Sequence, residues 1–185
     1  MSLSPSLLAF LRELRVNNTR EWFAENKAVY EQEKKGFDAW TTELITEFAD
    51  FENMDGVLLK HCSYRIYRDV RFSKNKAPYK TWFSTSFAEG GRKSGLMDYY
   101  VHIEPNGASF LGGGMYSPTP EQLAAFRQEI DYNTDEFLSI LSSKAFKKYF
   151  DSLSEEDKLQ TAPKGYPKDH PHIELLKLKS FTVFH

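Results

Sequence analysis

Cationic side chains are concentrated in residues 65–80, which read R-I-Y-R-D-V-R-F-S-K-N-K-A-P-Y-K. Three guanidiniums within seven residues can form a bidentate clamp for phosphate or carboxylate, because the planar fork of arginine matches these anions. The segment therefore predicts an anion-binding site. Its cations surround the single acid Asp69, and they are Arg65, Arg68, Arg71, Lys74, Lys76 and Lys80.

This positive charge is local, since the rest of the chain is acidic. Residues 59–93 carry 9 Lys/Arg against 2 Asp/Glu, whereas residues 1–58 carry 6 against 11 and residues 94–185 carry 9 against 13. The formal net charge of the whole chain is -2. General nucleic-acid-binding domains are usually strongly basic. The balance therefore favours a small phosphorylated or carboxylated ligand. The predicted ligand contacts are Arg65, Arg68, Asp69, Arg71, Lys76, Tyr79 and Lys80.

Asp69 distinguishes an organised site from a run of solvated charges. The apolar residues Ile66, Val70 and Phe72 alternate with polar ones, which predicts a strand that carries Arg68 on its apolar face. We therefore expect Asp69 to form a buried ion pair with a guanidinium. The competing interpretation is a solvated basic strand edge, in which the pair is exposed.

Asp69, His102 and His170 are weak candidates for acid–base chemistry. They support an alternative function, that of an enzyme acting on a phosphate-containing substrate without a metal ion or with one. The sequence lacks the carboxylate cluster that two metal ions need. It also contains no Cys/His spacing typical of zinc and no glycine-rich phosphate loop, so it predicts neither a metal site nor a cofactor. Whether the protein catalyses a reaction stays open.

A third function would be an interaction module for nucleic acid or an acidic protein. Aromatic side chains lie among the cations and would supply stacking surfaces for single strands. The acidic flanks make this alternative the least favoured. The stacking candidates are Tyr64, Tyr67, Trp82 and Phe83.

The pattern of elements predicts an α+β fold with a central antiparallel sheet flanked by N-terminal and C-terminal helices. Ser4 is expected to cap a first helix, and Asn18 a long second one. Asn106 and Gly107 separate two strand-like segments and predict a hairpin. A third capped helix start is predicted at Thr119. The chain shows neither a repeat nor a low-complexity linker, so a single domain over residues 1–185 is expected.

Cellular location is suggested by what the chain lacks. Its single cysteine, Cys62, is consistent with a reducing compartment. The N-terminus lacks the basic leader of a signal peptide, and no segment approaches the length of a membrane span. We therefore expect a cytoplasmic protein without membrane contact. The sequence does not predict its oligomeric state.

The segment R-x-x-R-D-x-R-F, followed by K-x-x-Y, resembles the signature of a widespread bacterial family of unknown function that also occurs as a region of longer fungal proteins. Similar flanking segments lie at residues 17–30 and 163–171. The resemblance implies a fold of mixed helix and sheet and supplies no activity. Asn75 stands where members often carry Asp. Members usually extend beyond the final Phe184-His185, which implies a shortened C-terminus here.

Overall fold

Helices and strands alternate in blocks through residues 2–185, which a computed structural model describes. The helices are α1 (Pro5–Val16), α2 (Arg20–Glu25), α3 (Lys27–Phe48), α4 (Leu59–Cys62), α5 (Pro120–Tyr132), α6 (Thr134–Ser142), α7 (Lys144–Lys147) and α8 (Ile173–Leu176). The strands are β1 (Phe83–Phe87), β2 (Asp98–Ile103), β3 (Phe110–Met115) and β4 (Phe181–Phe184). They form an antiparallel sheet in the order β1-β2-β3-β4. The predicted α+β class is confirmed.

Contacts divide the chain into two compact units, one ending at Leu111 and the other running from Gly112 to His185. The prediction of a single domain over residues 1–185 stays a prediction. Within residues 2–185, no helix combines the length and the apolar character that crossing a membrane requires.

The first unit is built around aromatic rings. Helix α1 begins at Ser4, whose side chain accepts a hydrogen bond from Ser6 N, and Pro5 occupies the first helical turn, as predicted. Its apolar face packs against rings from α2, α3 and β1. The buried members of this cluster include Leu7, Phe10, Leu11, Leu14, Phe23, Tyr30, Phe37 and Phe83.

The predicted long second helix is interrupted. Helix α2 is capped by Thr19, whose Oγ1 accepts a bond from Trp22 N, and the chain restarts α3 after Asn26. The prediction that Asn18 caps α2 was therefore wrong. The Asn18 side chain instead donates to the carbonyl of Tyr79 at 3.0 Å and accepts from Tyr79 N at 3.1 Å. This pair of bonds fastens the chain beyond the arginine-rich segment to the N-terminal helices.

The predicted strand between Tyr64 and Phe72 does not form. Only isolated bridges join Ser63 to Thr85 and Tyr67 to Tyr79. Arg68 N donates to the carbonyl of Pro78 at 2.9 Å, so the segment folds back on itself as a loop. Polar side chains of this segment donate hydrogen bonds to carbonyl groups of the loop instead of lining one face of a strand. The alternation of apolar and polar residues therefore predicted a strand that does not form.

The predicted hairpin at Asn106-Gly107 is confirmed. Both residues have positive φ, 67° and 76°, as a type I′ turn requires, and they lie between β2 and β3. Strand β2 pairs with β1 in a register that sets Ser84 opposite His102 and Ser86 opposite Tyr100. This register decides which side chains share the polar side of the sheet.

The second unit has its own core. Helix α5 begins with a capping box between Thr119 and Gln122, as predicted. At Gly114 the backbone has φ 124°, and a Cβ there would collide with the carbonyl oxygen of Phe181, so the approach of β3 to β4 requires glycine. The buried cluster comprises Ile130, Leu176, Leu178 and Phe181.

Candidate functional site

Strands β1 and β2 have one apolar side and one polar side. Phe83 and Phe87 point into the aromatic core of the first unit. Alternation then places Ser84 and Ser86 on the other side, opposite His102 and Tyr100 of β2. Both serines and the histidine are buried. Buried polar groups require hydrogen-bond partners, and neighbouring polar side chains on this side supply them.

His102 is at the centre of this network. Its Nε2 lies 2.9 Å from Glu104 Oε2, and its Nδ1 lies 3.2 Å from the hydroxyl of Tyr100. The ring is stacked between Trp82 and Phe110, with centroid separations of 5.2 and 4.6 Å. Both contacts are satisfied together when Nε2–H donates to the carboxylate and Nδ1 accepts from the phenol. The imidazole is thereby fixed in position and orientation.

Glu104 is itself held in place. Thr81 Oγ1 donates to Glu104 Oε1 at 3.2 Å, and Arg15 Nη1 lies 3.6 Å from the same oxygen. The two carboxylate oxygens of Glu104 therefore have different partners, because Oε1 contacts Thr81 and Arg15 whereas Oε2 contacts His102. A carboxylate, an imidazole and a phenol in succession can move a proton across the face of the sheet.

A second hydroxyl network lies beside Tyr100. The Tyr64 hydroxyl is 3.3 Å from Ser86 Oγ, and the two tyrosine rings meet edge to face at 6.0 Å. Burial raises the pKa of Tyr100, so its phenol stays protonated at neutral pH. Burial also raises the pKa of Asp98, although a hydrogen bond from Ser86 partly opposes that shift.

Cations border the same side of the sheet. Lys80 Nζ lies 5.4 Å from the ring centroid of Tyr64 and 6.0 Å from that of Trp82, while Arg92 Cζ lies 4.9 Å from Tyr64. Burial lowers the pKa of Lys80, and the positive charges of Arg65 and Arg92 lower it further. Among residues 2–185, none of these three cations is paired with a carboxylate.

We call this region the sheet face. It combines an oriented imidazole, two phenols, an indole and half-buried positive charge, all within the first unit. Its defining residues are Tyr64, Lys80, Trp82, Arg92, Tyr100 and His102.

Most of the predicted cations lie elsewhere, in a loop that we call the basic tip (residues 67–78). Two of them stabilise the loop. Arg68 Nη1 donates to the carbonyl of Ala77 at 3.0 Å, and Lys76 Nζ donates to the carbonyl of Val70 at 3.0 Å. A positive charge that holds its own loop together is less available to a ligand.

Asp69 forms an ion pair, but not a buried one. It bonds Arg71 through both oxygens, with Nη2 2.6 Å from Oδ2, and the two side chains are 47% and 76% exposed. These bonds from the Arg71 side chain and backbone lower the pKa of Asp69. The expected ion pair with a guanidinium is present, but the prediction that it is buried was wrong. Without a strand, no apolar face exists to enclose the pair.

Tyr79 and Arg65 differ in their surroundings. The Tyr79 ring is buried and stacks on Phe23 at 3.9 Å, which makes it a core residue at the base of the basic tip. Arg65 is exposed and contributes positive potential near Lys80. The structure thus brings Arg65, Lys80 and His102 into one region and leaves the other predicted contacts in the basic tip or beneath it.

His170 belongs to the second unit. Its Nε2 lies 2.9 Å from Asp131 Oδ1, and its Nδ1 accepts a hydrogen bond from His172 N at 3.1 Å. Both ring nitrogens therefore have partners that fix the loop before α8. This arrangement favours a structural role for His170.

Sequence reasoning missed Glu104, Tyr100 and Arg92 as site residues. Period-two spacing of Asp98, Tyr100, His102 and Glu104 is the signal that links the first two, because such residues share one side of a strand. Arg92 has no comparable signal. It is positioned by Gly91, where φ is 82° and a Cβ would lie 2.6 Å from that of His61.

Metal ligation receives no support from the described part of the chain. Within residues 2–185, no three His, Cys, Asp or Glu side chains form a group that could hold a metal ion.

Comparison with known proteins identifies a family. A family model described as "Conserved hypothetical protein (DUF2461)" matches residues 6–185, so the chain belongs to this family. No curated protein and no solved structure matches the chain significantly.

Proposed function

We propose that this member of the DUF2461 family binds a small anionic ligand, carrying phosphate or carboxylate, at the sheet face. Lys80 and Arg92 would supply the charge, and the hydroxyl of Tyr64 would supply a hydrogen bond. Arg65 would add positive potential at the entrance. The ligand class follows from the signs and shapes of these groups, since guanidinium and ammonium groups favour oxyanions.

The half-buried Lys80 is the observation that supports this proposal most strongly. Removing a positive charge from water is costly unless an opposite charge or hydrogen bonds replace the lost hydration. Lys80 is desolvated beside two further cations, and its pKa is lowered as a result. A bound anion would remove that penalty. Binding energy is therefore available that the free protein does not use.

The proposal retains Arg65 and Lys80 from the predicted ligand contacts. It assigns no ligand contact to the other five, because each has a partner within its own loop or core. These residues are Arg68, Asp69, Arg71, Lys76 and Tyr79.

Thermal denaturation with a panel of anions tests the proposal. The panel comprises inorganic phosphate, nucleoside monophosphates, sugar phosphates and dicarboxylates. A ligand that binds only the folded state stabilises it by about 2.7 kcal/mol at a concentration of 100 Kd. We expect at least one anion to raise the melting temperature of the wild type, and Lys80→Met to abolish this rise.

Lys74→Met is the matched control, because it removes an exposed lysine of the basic tip. It should leave the ligand-induced rise unchanged. If the panel stabilises wild type and Lys80→Met equally, or if Lys74→Met alone loses the effect, binding at the sheet face is refuted.

A second candidate function is acid–base catalysis on the same face. His102 is held between a carboxylate and a phenol at 2.9 and 3.2 Å, which is the geometry of an oriented general base. The phenol of Tyr100 could donate a proton to a departing oxygen and recover one through His102. In hydrolysis of a phosphate ester, a water oxygen would bond to phosphorus as the ester bond breaks, and the departing oxygen would take the proton of Tyr100. The proton that the water releases would pass to His102 and return to Tyr100.

Release of inorganic phosphate from a panel of phosphomonoesters tests this second function. Activity should fall by about 10²–10⁴-fold in His102→Phe, which keeps the stacked ring and removes proton transfer. His172→Phe in the second unit serves as the control. Equal rates for wild type and His102→Phe would reject catalysis by this histidine.

A further inference from the structure

We infer that the basic tip is a second binding surface, which takes single-stranded nucleic acid independently of the sheet face. The observation behind this inference is Phe72, whose side chain is 96% exposed at the end of the loop. A single exposed apolar residue is ordinary on a protein surface. Its setting, in an internally braced loop rich in cations, is what gives it a function.

The loop is braced by its own polar side chains. Arg68 and Lys76 donate to its carbonyls, Ala77 N donates to Asn75 Oδ1 at 2.9 Å, and Ser73 N donates to the carbonyl of Val70 at 3.3 Å. Its ends are joined at the bridge between residues 67 and 79. A loop that is ordered before binding loses less conformational entropy when a partner arrives. The exposed ring is thus presented by a preorganised support.

The exposed side chains of the tip include both aromatic rings and cations. Tyr67 is 50% exposed, and Arg71 lies 5.9 Å from the ring centroid of Phe72. Lys74 is exposed on the same loop. Aromatic rings stack on bases of any sequence, and nearby cations neutralise the phosphates between them. This combination fits a single strand, whose bases are free to stack.

Charge and composition favour nucleic acid over a membrane surface. Insertion into a bilayer is driven by several large apolar side chains on one surface, whereas Phe72 is accompanied at the tip by arginine, lysine and tyrosine. Tyr67 and Phe72 suit the bases of a single strand, and the exposed Lys74 suits its phosphates. The acidic remainder of the chain limits the contact to the tip, so we expect a short footprint and modest affinity.

Fluorescence anisotropy of a labelled thymidine oligonucleotide of about 12 nucleotides tests the inference. Phe72→Ala should weaken binding roughly 5- to 150-fold, the value of one stacked base. Phe72→Trp should retain affinity, and Phe72→Leu should lose it as alanine does. Lys74→Gln should reduce the slope of log affinity against log salt by about 0.7.

The control is Tyr132→Ala, which removes a 73% exposed aromatic from α5 in the second unit and should leave binding unchanged. The inference fails if the oligonucleotide does not bind, or if Phe72→Ala binds as well as wild type. It also fails if vesicles of phosphatidylserine and phosphatidylcholine bind more tightly than the oligonucleotide and Phe72→Leu preserves that binding. None of these variants alters the sheet face, so the result is independent of small-anion binding.

Discussion

The sheet face and the basic tip use positive charge in opposite ways. At the sheet face, Lys80 and Arg92 lie against aromatic rings, and no carboxylate of residues 2–185 forms an ion pair with either. Arg92 Nε also donates to the carbonyl of Ser63 at 3.1 Å. At the tip, Arg68 and Lys76 bond to carbonyls of their own loop, and Arg71 is paired with Asp69. The tip has the greater number of cations, whereas the sheet face has the half-buried Lys80, whose pKa is lowered by desolvation.

The number of charged residues in a stretch of sequence therefore does not show how many of those charges are available to a ligand. A guanidinium bonded to its own loop contributes to structure, and an exposed ion pair is screened by solvent. A half-buried ammonium has lost hydration without replacement. The second situation, rather than the first, leaves free energy that a ligand can recover.

Replacing Phe23 should have the largest effect on the free energy of unfolding, because its ring packs against Tyr79 at the base of the basic tip. Phe23 is buried and packs against Tyr79 at 3.9 Å and Tyr30 at 4.9 Å. Phe23→Ala should lower the free energy of unfolding by about 3–5 kcal/mol in urea denaturation. Phe72→Ala, at the exposed end of the same structure, should change it by less than about 0.5 kcal/mol. Comparable losses in the free energy of unfolding for the two variants would contradict the packing of the basic tip on Phe23.

Asn18→Ala should have the next largest effect. It leaves the amide and carbonyl of Tyr79 without their side-chain partners, each now bonded at close to 3 Å. We expect a loss of about 1–3 kcal/mol in the free energy of unfolding. Asn17→Ala is the control, since Asn17 bonds only the carbonyl of Glu13 through its side chain at an exposed helix end. If both variants unfold at the same denaturant concentration, the two hydrogen bonds between Asn18 and Tyr79 do not stabilise the fold.

Asp98 of β2 tests how desolvation of a charged side chain affects stability on the polar side of the sheet. Its folded-state pKa is raised by burial. A raised pKa means that the folded state binds more protons, so stability falls as pH rises from about 3.8 through the folded value. Asp98→Asn should therefore be more stable than wild type at pH 7, and this gain should vanish below about pH 3.8. Denaturation midpoints across this range check it, and a destabilised variant at pH 7 would contradict it.

Asp69→Asn should have the smallest effect on stability. The pKa of Asp69 is lowered by bonds from Arg71, so the pair contributes above the unfolded pKa and is lost as pH falls through the folded one. Because both partners are exposed, water and salt screen this contribution. The denaturation midpoint at neutral pH should be indistinguishable from that of wild type. A loss as large as that of Asn18→Ala would restore the interpretation of an organised cluster.

The sequence was sufficient where local rules decide. Ser4-Pro5, Thr119-Pro120 and Asn106-Gly107 marked two helix starts and a hairpin, because each encodes a backbone geometry within a few residues. The alternation around Arg68 failed, since a strand needs a long-range partner and this segment bonds to itself. The period-two spacing of Tyr100, His102 and Glu104 was a signal that the sequence did carry, whereas the placement of Ser84 and Ser86 opposite β2 depended on a register that one strand cannot reveal. Arg92 depended on the close approach of Gly91 to His61.

Mapping a bound anion by NMR tests directly whether a small anion binds at the sheet face. Inorganic phosphate is titrated into isotopically labelled protein, and amide and side-chain shifts are followed in wild type and in Lys80→Met. We expect saturable changes at Tyr64, Lys80 and Arg92 that disappear in the variant, with residues 70–76 unaffected. Saturable changes confined to residues 70–76, or changes at the sheet face that persist in Lys80→Met, would contradict it.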